Sequence, residues 1–256
     1  MKITVVAETS CVIPEDHDFF QETYSGPVNA GYEPSGVELT VEFAALSRTH
    51  LIWRVDDGRH NTRDYLRFLL SASAWRFLEH SFVTFYVEDI AISLANQLHS
   101  RDGLVISERA QRNTRYDRFE IGPTLPEEVE AHDDLRAEMH ELFQHSVRVW
   151  GNIRNKLRNR GVYSEYSAAA ARAALPNMAT TKLTVTGSVR SWAQLLVECD
   201  SVRSEPDMQR FAESIGAILA ERHPALFGDV RFEVWDVDKN EKWAVSNRSG
   251  RAMRHP

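Results

Sequence analysis

A chain of 256 residues, 43% hydrophobic and 26% charged, is long enough to bury a sizeable core. Its formal net charge of −7 gives no basic footprint for binding a DNA or RNA polymer. No run of about 18 apolar residues and no leader-like start is present, so a cytoplasmic protein with no membrane partner is expected. Cys11 and Cys199 are too few and too far apart for a disulfide framework or a zinc cluster.

In chain order, Lys2 to Glu8 (KITVVAE) alternates and is rich in β-branched residues, which predicts a strand. GVELTVEFAALSRT then reads as a helix, and TRDYLRFLLSASAW places Tyr65, Leu66, Leu69 and Leu70 on one face of a second. Ser81 to Asp89 is the strongest strand pattern. Helical spacing follows through Ile90, Leu94, Gln97 and Leu98, and Gly103 permits a turn. QLHSRDGLVISERAQRN reads as a charged loop, and Thr114 to Pro126 as an extended one. Asp133 to Arg160 is the longest helical pattern, with Leu135, Met139, Leu142, Phe143, Val149, Trp150, Ile153 and Leu157 on its stripe and Gly151 as a point of possible breakage. Ser164 is the expected N-cap of the Ala-rich helix that stops at Pro176. TTKLTVTG predicts a strand, SVRSWAQLLVECD and EPDMQRFAESIGAILAERHP helices, and DVRFEVWDV a last strand before a frayed tail. The pattern predicts an α+β fold: a central mixed or antiparallel sheet flanked by long helices, in one domain over residues 1–245 with a tail at 246–256.

Conventional motifs are missing. No Gly-rich phosphate loop, HExxH or nucleophile elbow occurs, and His132, His140 and His145 lie on a charged helix whose solvated face explains them better than a metal. Only five of the 30 basic residues are lysines. Compositional bias accounts for most of that arginine excess, so placement has to single out the functional ones. Arg109 and Arg112 follow the glycine turn, Arg172 precedes Leu175 and Pro176, and Arg190 follows Gly187 near a predicted helix start, where free N–H groups favour anions.

From EHSFVTFYVEDIAISLANQL onward the chain resembles the flavin-dependent thymidylate synthase (ThyX) family. Glu79 and His80, Phe85, Gln97 and Leu98, ARAALP, TVTGSVRSW and EPDMQRFAESI stand in that family's order. The resemblance implies a homotetramer with sites at subunit interfaces, FAD as cofactor, methylenetetrahydrofolate and NADPH as candidate companions, and a pyrimidine nucleotide or nucleoside as substrate. It also implies catalytic roles for Arg172 and Arg112. Substrate contacts fall to Gln97, Glu108, Arg109, Ala110, Arg112 and Arg172, cofactor contacts to Arg101, Ser107, Glu108, Ser188, Arg190 and Gln194, and no metal is implied.

The family's R-H-R-x-x-S signature is largely replaced. Ser100, Arg101 and Asp102 fall on R-H-R, Val105 on the first Ser, Ser107 on Asn, Ala110 on the second Ser and Asn113 on Tyr, while Arg112 remains. Ala74 stands at a flavin-facing His, Cys199 at a uracil-reading Arg, Arg203 at a His and Ser188 at an Asn. Three readings follow. The chain is a flavin-dependent enzyme that transfers a C5 methyl or hydroxymethyl group to a pyrimidine of the dUMP or UMP type, specialised for nucleoside natural products; a flavoprotein with a folate-independent redox reaction; or a non-catalytic nucleotide binder.

Overall fold

The computed structural model describes residues 1–12, 32–47, 62–71, 75–114, 122–199, 205–228, 231–236, 241–246 and 252–254. Sequence expectations that fall on other positions, Arg203 and Ala74 among them, lie outside the described residues. The order is β1 (Lys2–Glu8), α1 (Gly36–Leu46), α2 (Thr62–Ser71), a 3-10 turn (Trp75–His80), β2 (Phe82–Ala91), α3 (Ile92–His99), β3 (Leu104–Glu108) and a 3-10 turn (Gln111–Asn113). Then come α4 (Glu127–Glu130), α5 (Asp133–Asn159), α6 (Ser164–Ala171), a 3-10 turn (Arg172–Ala174), β4 (Thr180–Ser188), α7 (Val189–Cys199), α8 (Pro206–Arg222), α9 (Pro224–Phe227), β5 (Arg231–Asp236), β6 (Glu241–Ser246) and β7 (Ala252–Arg254). The architecture is α+β, as the sequence pattern predicts.

Four strands form one sheet in the order β1-β2-β4-β3. It is antiparallel throughout, because paired residue numbers run in opposite senses. Thr9 N donates to Phe82 O and Lys2 approaches Glu88; Thr84 meets Thr186 and Ile92 N donates to Ala179 O; Arg109 N donates to Lys182 O and Gly187 abuts Leu104. A second sheet, β5-β6-β7, is antiparallel, with Val234 opposite Trp243 and Ala244 opposite Met253. The sequence pattern ended the ordered chain at β5 and missed β6 and β7, whose short polar-edged runs carry little alternation.

The described chain divides into two compact units. The first takes Met1–Thr4, Phe85–Arg101 and Val105–Val185; the second takes Val5–Thr84, Asp102–Leu104 and Thr186–Pro256. The first is built on α5, a helix of 27 residues, about 40 Å long. Phe143 and Trp150 enter a core with Ile92, Ala171, Met178 and Ala179. Asp133 and Asp134 open α5 while Lys156 and Arg158 close it, so side-chain charge complements the helix dipole. The helix does not break at Gly151: space around that residue is open, and a single glycine costs only about 1 kcal/mol. Ser164 is not the cap of α6. Tyr163 holds that position without a side-chain bond, and the serine sits in the first turn.

In the second unit α1 starts at a capping box: Ser35 Oγ accepts from Glu38 N, and the Glu38 side chain accepts from Ser35 N. Val37, Val41, Leu66, Leu69, Leu78, Phe211, Ile215 and Leu219 are buried. Trp192 is fully buried and its Nε1–H donates to Val83 O at 3.1 Å, which satisfies the one polar atom of a large apolar ring. Gly103 adopts φ +76°, and a Cβ there would come within 2.6 Å of Ser191 Oγ, so turn geometry and close packing both require glycine.

Candidate functional site

QLHSRDGLVISERAQRN is not a loop. After α3 ends at His99 and Gly103 turns the chain, Leu104–Glu108 forms edge strand β3 and Gln111–Asn113 a 3-10 turn. Along β3 burial alternates, so Ser107 and Glu108 project to opposite faces of the sheet and their side chains cannot line one pocket together. Glu108 Oε2 lies 3.2 Å from His99 Nε2, a partner the sequence reading passed over. Gln97 is half-buried near the end of α3, and its carbonyl accepts from Ser100 Oγ at 2.7 Å. Arg101 is half-buried just beyond, and Ser107 is exposed.

Arg112 is exposed on its 3-10 turn, which packs against α6. Arg172 is exposed at the C-cap of that same helix, held in place by fully buried Ala171 immediately before it. Two arginines 60 positions apart in the chain are therefore carried by neighbouring elements of one unit. Ala110 caps the turn, and its carbonyl accepts from Thr114 Oγ1 at 3.1 Å.

Arg109 goes elsewhere. Its N–H donates to Lys182 O at 3.0 Å, and it lines a groove of about 360 Å3 with Glu88, Asp89, Gly122, Pro123, Thr124, Thr180, Thr181 and Lys182. Asp89 sits at φ 56°, the left-handed region that Asp tolerates better than most residues. Lys182 Nζ lies over the Tyr86 ring, 5.7 Å from its centroid. Sequence analysis missed Lys182, because strand register, which no local spacing shows, decides which residue of β4 Arg109 meets.

In the second unit, Ser188 is buried. Its Oγ accepts from Ser191 N at 3.1 Å and meets Ser191 Oγ at 2.9 Å, so the hydroxyl is occupied in starting α7. Arg190 and Gln194, one turn apart on α7, are both exposed. Arg190 pairs with Glu79, and Gln194 donates to Glu198 Oε1 at 2.9 Å. An arginine and an amide at that spacing form a donor set suited to phosphate oxygens and to the polar edge of a flavin. Cys199 is 1% exposed, so where a base-reading guanidinium was looked for there is a small buried thiol. Burial pushes the Cys11 thiol up, so that cysteine does not present a thiolate.

The second unit also holds a Ser–His–Glu array. His223 is fully buried, with Nδ1 2.8 Å from Ser35 Oγ and Nε2 3.8 Å from Glu8 Oε2. Ser35 Oγ already caps α1 and touches Glu38, so this array anchors structure and carries no nucleophile. Burial, opposed by Glu8 and Glu38, holds His223 below its ordinary value of 6.5; the Arg222 hydrogen bond holds Glu8 below 4.5. Ser35, Glu8, Glu38 and Arg222 are the groups that face the ring. A folded state that binds fewer protons than the unfolded chain gains stability as pH rises. The His223 contribution is therefore complete above about pH 6.5 and is lost as pH falls below it, and that of Glu8 is lost in turn below about pH 4.5. The melting temperature is expected to fall between about pH 7 and 5. His223→Asn should flatten that slope, and a slope unchanged in the variant would assign it to other groups.

A family model described as "Thymidylate synthase complementing protein" matches residues 32–225. A flavin-dependent thymidylate synthase of Mycobacteroides abscessus is 26% identical over 254 residues, covering 96% of this chain and 95% of the relative. One from Mycobacterium tuberculosis is 26% identical over 256 residues, with the same shares covered. One from Corynebacterium efficiens is 24% identical over 220 residues, covering 82% of this chain and 87% of the relative.

Proposed function

The chain belongs to the thymidylate synthase complementing protein family, and on that footing we propose that it is a cytoplasmic, homotetrameric FAD enzyme. It transfers a one-carbon unit to C5 of a pyrimidine nucleotide of the dUMP or UMP type, other than dUMP itself. The observation that supports this reading is that Arg112 and Arg172, both exposed, are carried by packed neighbouring elements of one unit; separately, the resemblance puts a base-reading Arg where this chain has the buried Cys199. Two planar forks suit a phosphate, which supports retention of a nucleotide substrate.

Arg190 and Gln194 fit FAD, with Ser188 fixing the turn from which they project. When bound, the flavin supplies reducing equivalents, with methylenetetrahydrofolate as carbon donor and NADPH as reductant. Gln97 offers both a donor and an acceptor to the base edge. Glu108, held by His99, orients the chain next to Arg109. Arg172 and Arg112 fix the phosphate, and orientation is the larger part of what the protein contributes to such a reaction.

Purified protein is expected to carry FAD or to take it up on reconstitution. In thermal-shift titrations with dUMP, UMP, dCMP and CMP, one ligand other than dUMP should raise the melting temperature most. Absence of flavin binding together with no nucleotide response rejects the proposal; a response to dUMP above all others rejects its statement that the substrate is another nucleotide.

A further inference from the structure

Helix α5 carries two apolar faces, and only one of them is covered. Met139, Phe143, Val147 and Trp150 face the core of the first unit. About 90° around the helix lies a second row of Leu135, Leu142, Ser146, Val149 and Ile153, repeating at seven-residue intervals. Leu135 is 42%, Leu142 50% and Ile153 36% exposed. A row of aliphatic side chains at coiled-coil spacing, left open to water, is the surface of an interface and not of a solvated helix.

Charge along α5 says what covers it. From Asp133 to Glu141 the helix holds Asp133, Asp134, Glu138 and Glu141 against Arg136 alone, and Arg136 is already paired with Asp133. From Leu142 to Asn159 there is no acidic residue, and Arg148, Arg154, Lys156 and Arg158 are all basic. A second α5 laid parallel would set acid on acid and base on base. Laid antiparallel, it sets each acidic half against a basic one.

We infer that the Leu135–Ile153 face of α5 binds the same face of a second copy of this chain, antiparallel, about a two-fold axis at the level of Gln144. In that register Leu135 lies opposite Ile153 and Leu142 opposite Ser146. The contact is self-complementary, as a two-fold interface must be. The inference rests on the oligomer of the proposed function and gives it a surface. Because α5 packs on α6 and on the 3-10 turn that carries Arg172, self-association also braces the helix that presents this arginine.

The test uses the full chain with its flavin content measured alongside. Light scattering should show an oligomer for the unaltered protein. Leu142→Glu with Ile153→Glu should halve its mass while the far-UV spectrum stays that of a folded chain, since both positions are open to solvent. Under oxidation, Leu135→Cys with Ile153→Cys should cross-link into a dimer on a non-reducing gel and Leu135→Cys alone should not. A halved mass and cross-linking in the double variant alone support the seam. An oligomer untouched by the glutamates, or cross-linking of Leu135→Cys by itself, overturns the face or its direction and leaves the proposed activity standing. A protein that binds FAD but is monomeric overturns the seam and the tetramer together.

Discussion

Glu38→Ala is expected to lower the unfolding free energy by about 3 to 5 kcal/mol, the usual cost of removing one member of a buried charged network. Glu38 is fully buried on the first turn of α1. Its Oε1 accepts from Ala225 N at 2.7 Å, and its Oε2 accepts from Tyr32 OH at 2.5 Å, Ser35 N at 2.9 Å and Ser35 Oγ at 3.1 Å. Burial and this carboxylate together push the Tyr32 hydroxyl well above its ordinary range, so it remains a donor. Alanine would leave the buried Ala225 amide without an acceptor and deprive the half-buried Tyr32 hydroxyl of its partner, and an orphaned buried group costs about 1 to 3 kcal/mol. Glu38→Gln keeps one carbonyl acceptor, so its loss should be roughly half as large. Urea unfolding measures both variants. A loss below about 1 kcal/mol for alanine would mean that water replaces the carboxylate.

That carboxylate also shows where sequence reading stops. In GVELTVEFAAL the alternation of Val37 and Val41 with glutamates marks an amphipathic helix, and the helix is there as α1. The same pattern assigns Glu38 and Glu42 to water, yet both are fully buried. What overrides it is partners distant in sequence, such as the Ala225 amide, and no local window contains them. Strand β3 was illegible for a different reason: five residues with a polar end, at a sheet edge, show no more alternation than a loop does. Long elements with strong periods, β2, α5, α7 and α8, were legible, apart from a break at Gly151 that the surrounding open space makes unnecessary.

The candidate site divides along the same line. Motif order marked Arg112 and Arg172, but only packing of the 3-10 turn on α6 places them on neighbouring elements. Arg109, grouped with them by sequence proximity, instead sits over a groove with Lys182, because the pairing of β3 with β4 decides what it meets. Register is a property of the sheet, so neither His99 beside Glu108 nor Lys182 beside Arg109 could be read from spacing.

Arg172→Ala is expected to weaken nucleotide binding by on the order of a hundredfold, about 3 kcal/mol, with little change in stability. The side chain is exposed, and among the described residues no hydrogen bond or ion pair engages its guanidinium, so removing it disrupts no folded-state contact of the kind that costs stability. Its backbone is another matter: Ala168 and Ala171 are buried, and Arg172 O accepts from Leu175 N at 2.9 Å. The backbone that carries this fork is already ordered before ligand arrives, so only side-chain freedom is lost on binding. Two charge-assisted bonds to phosphate oxygens would be lost in alanine. Lysine would keep the charge but not the planar fork, so Arg172→Lys should recover part of the affinity and stay roughly tenfold weaker than arginine. The readout is a nucleotide Kd by calorimetry, with FAD content as control, because the residues proposed to hold the flavin lie on α7 and not on this turn. Equal affinity in the arginine and alanine proteins would remove Arg172 from the site and leave Arg112 without its proposed counterpart.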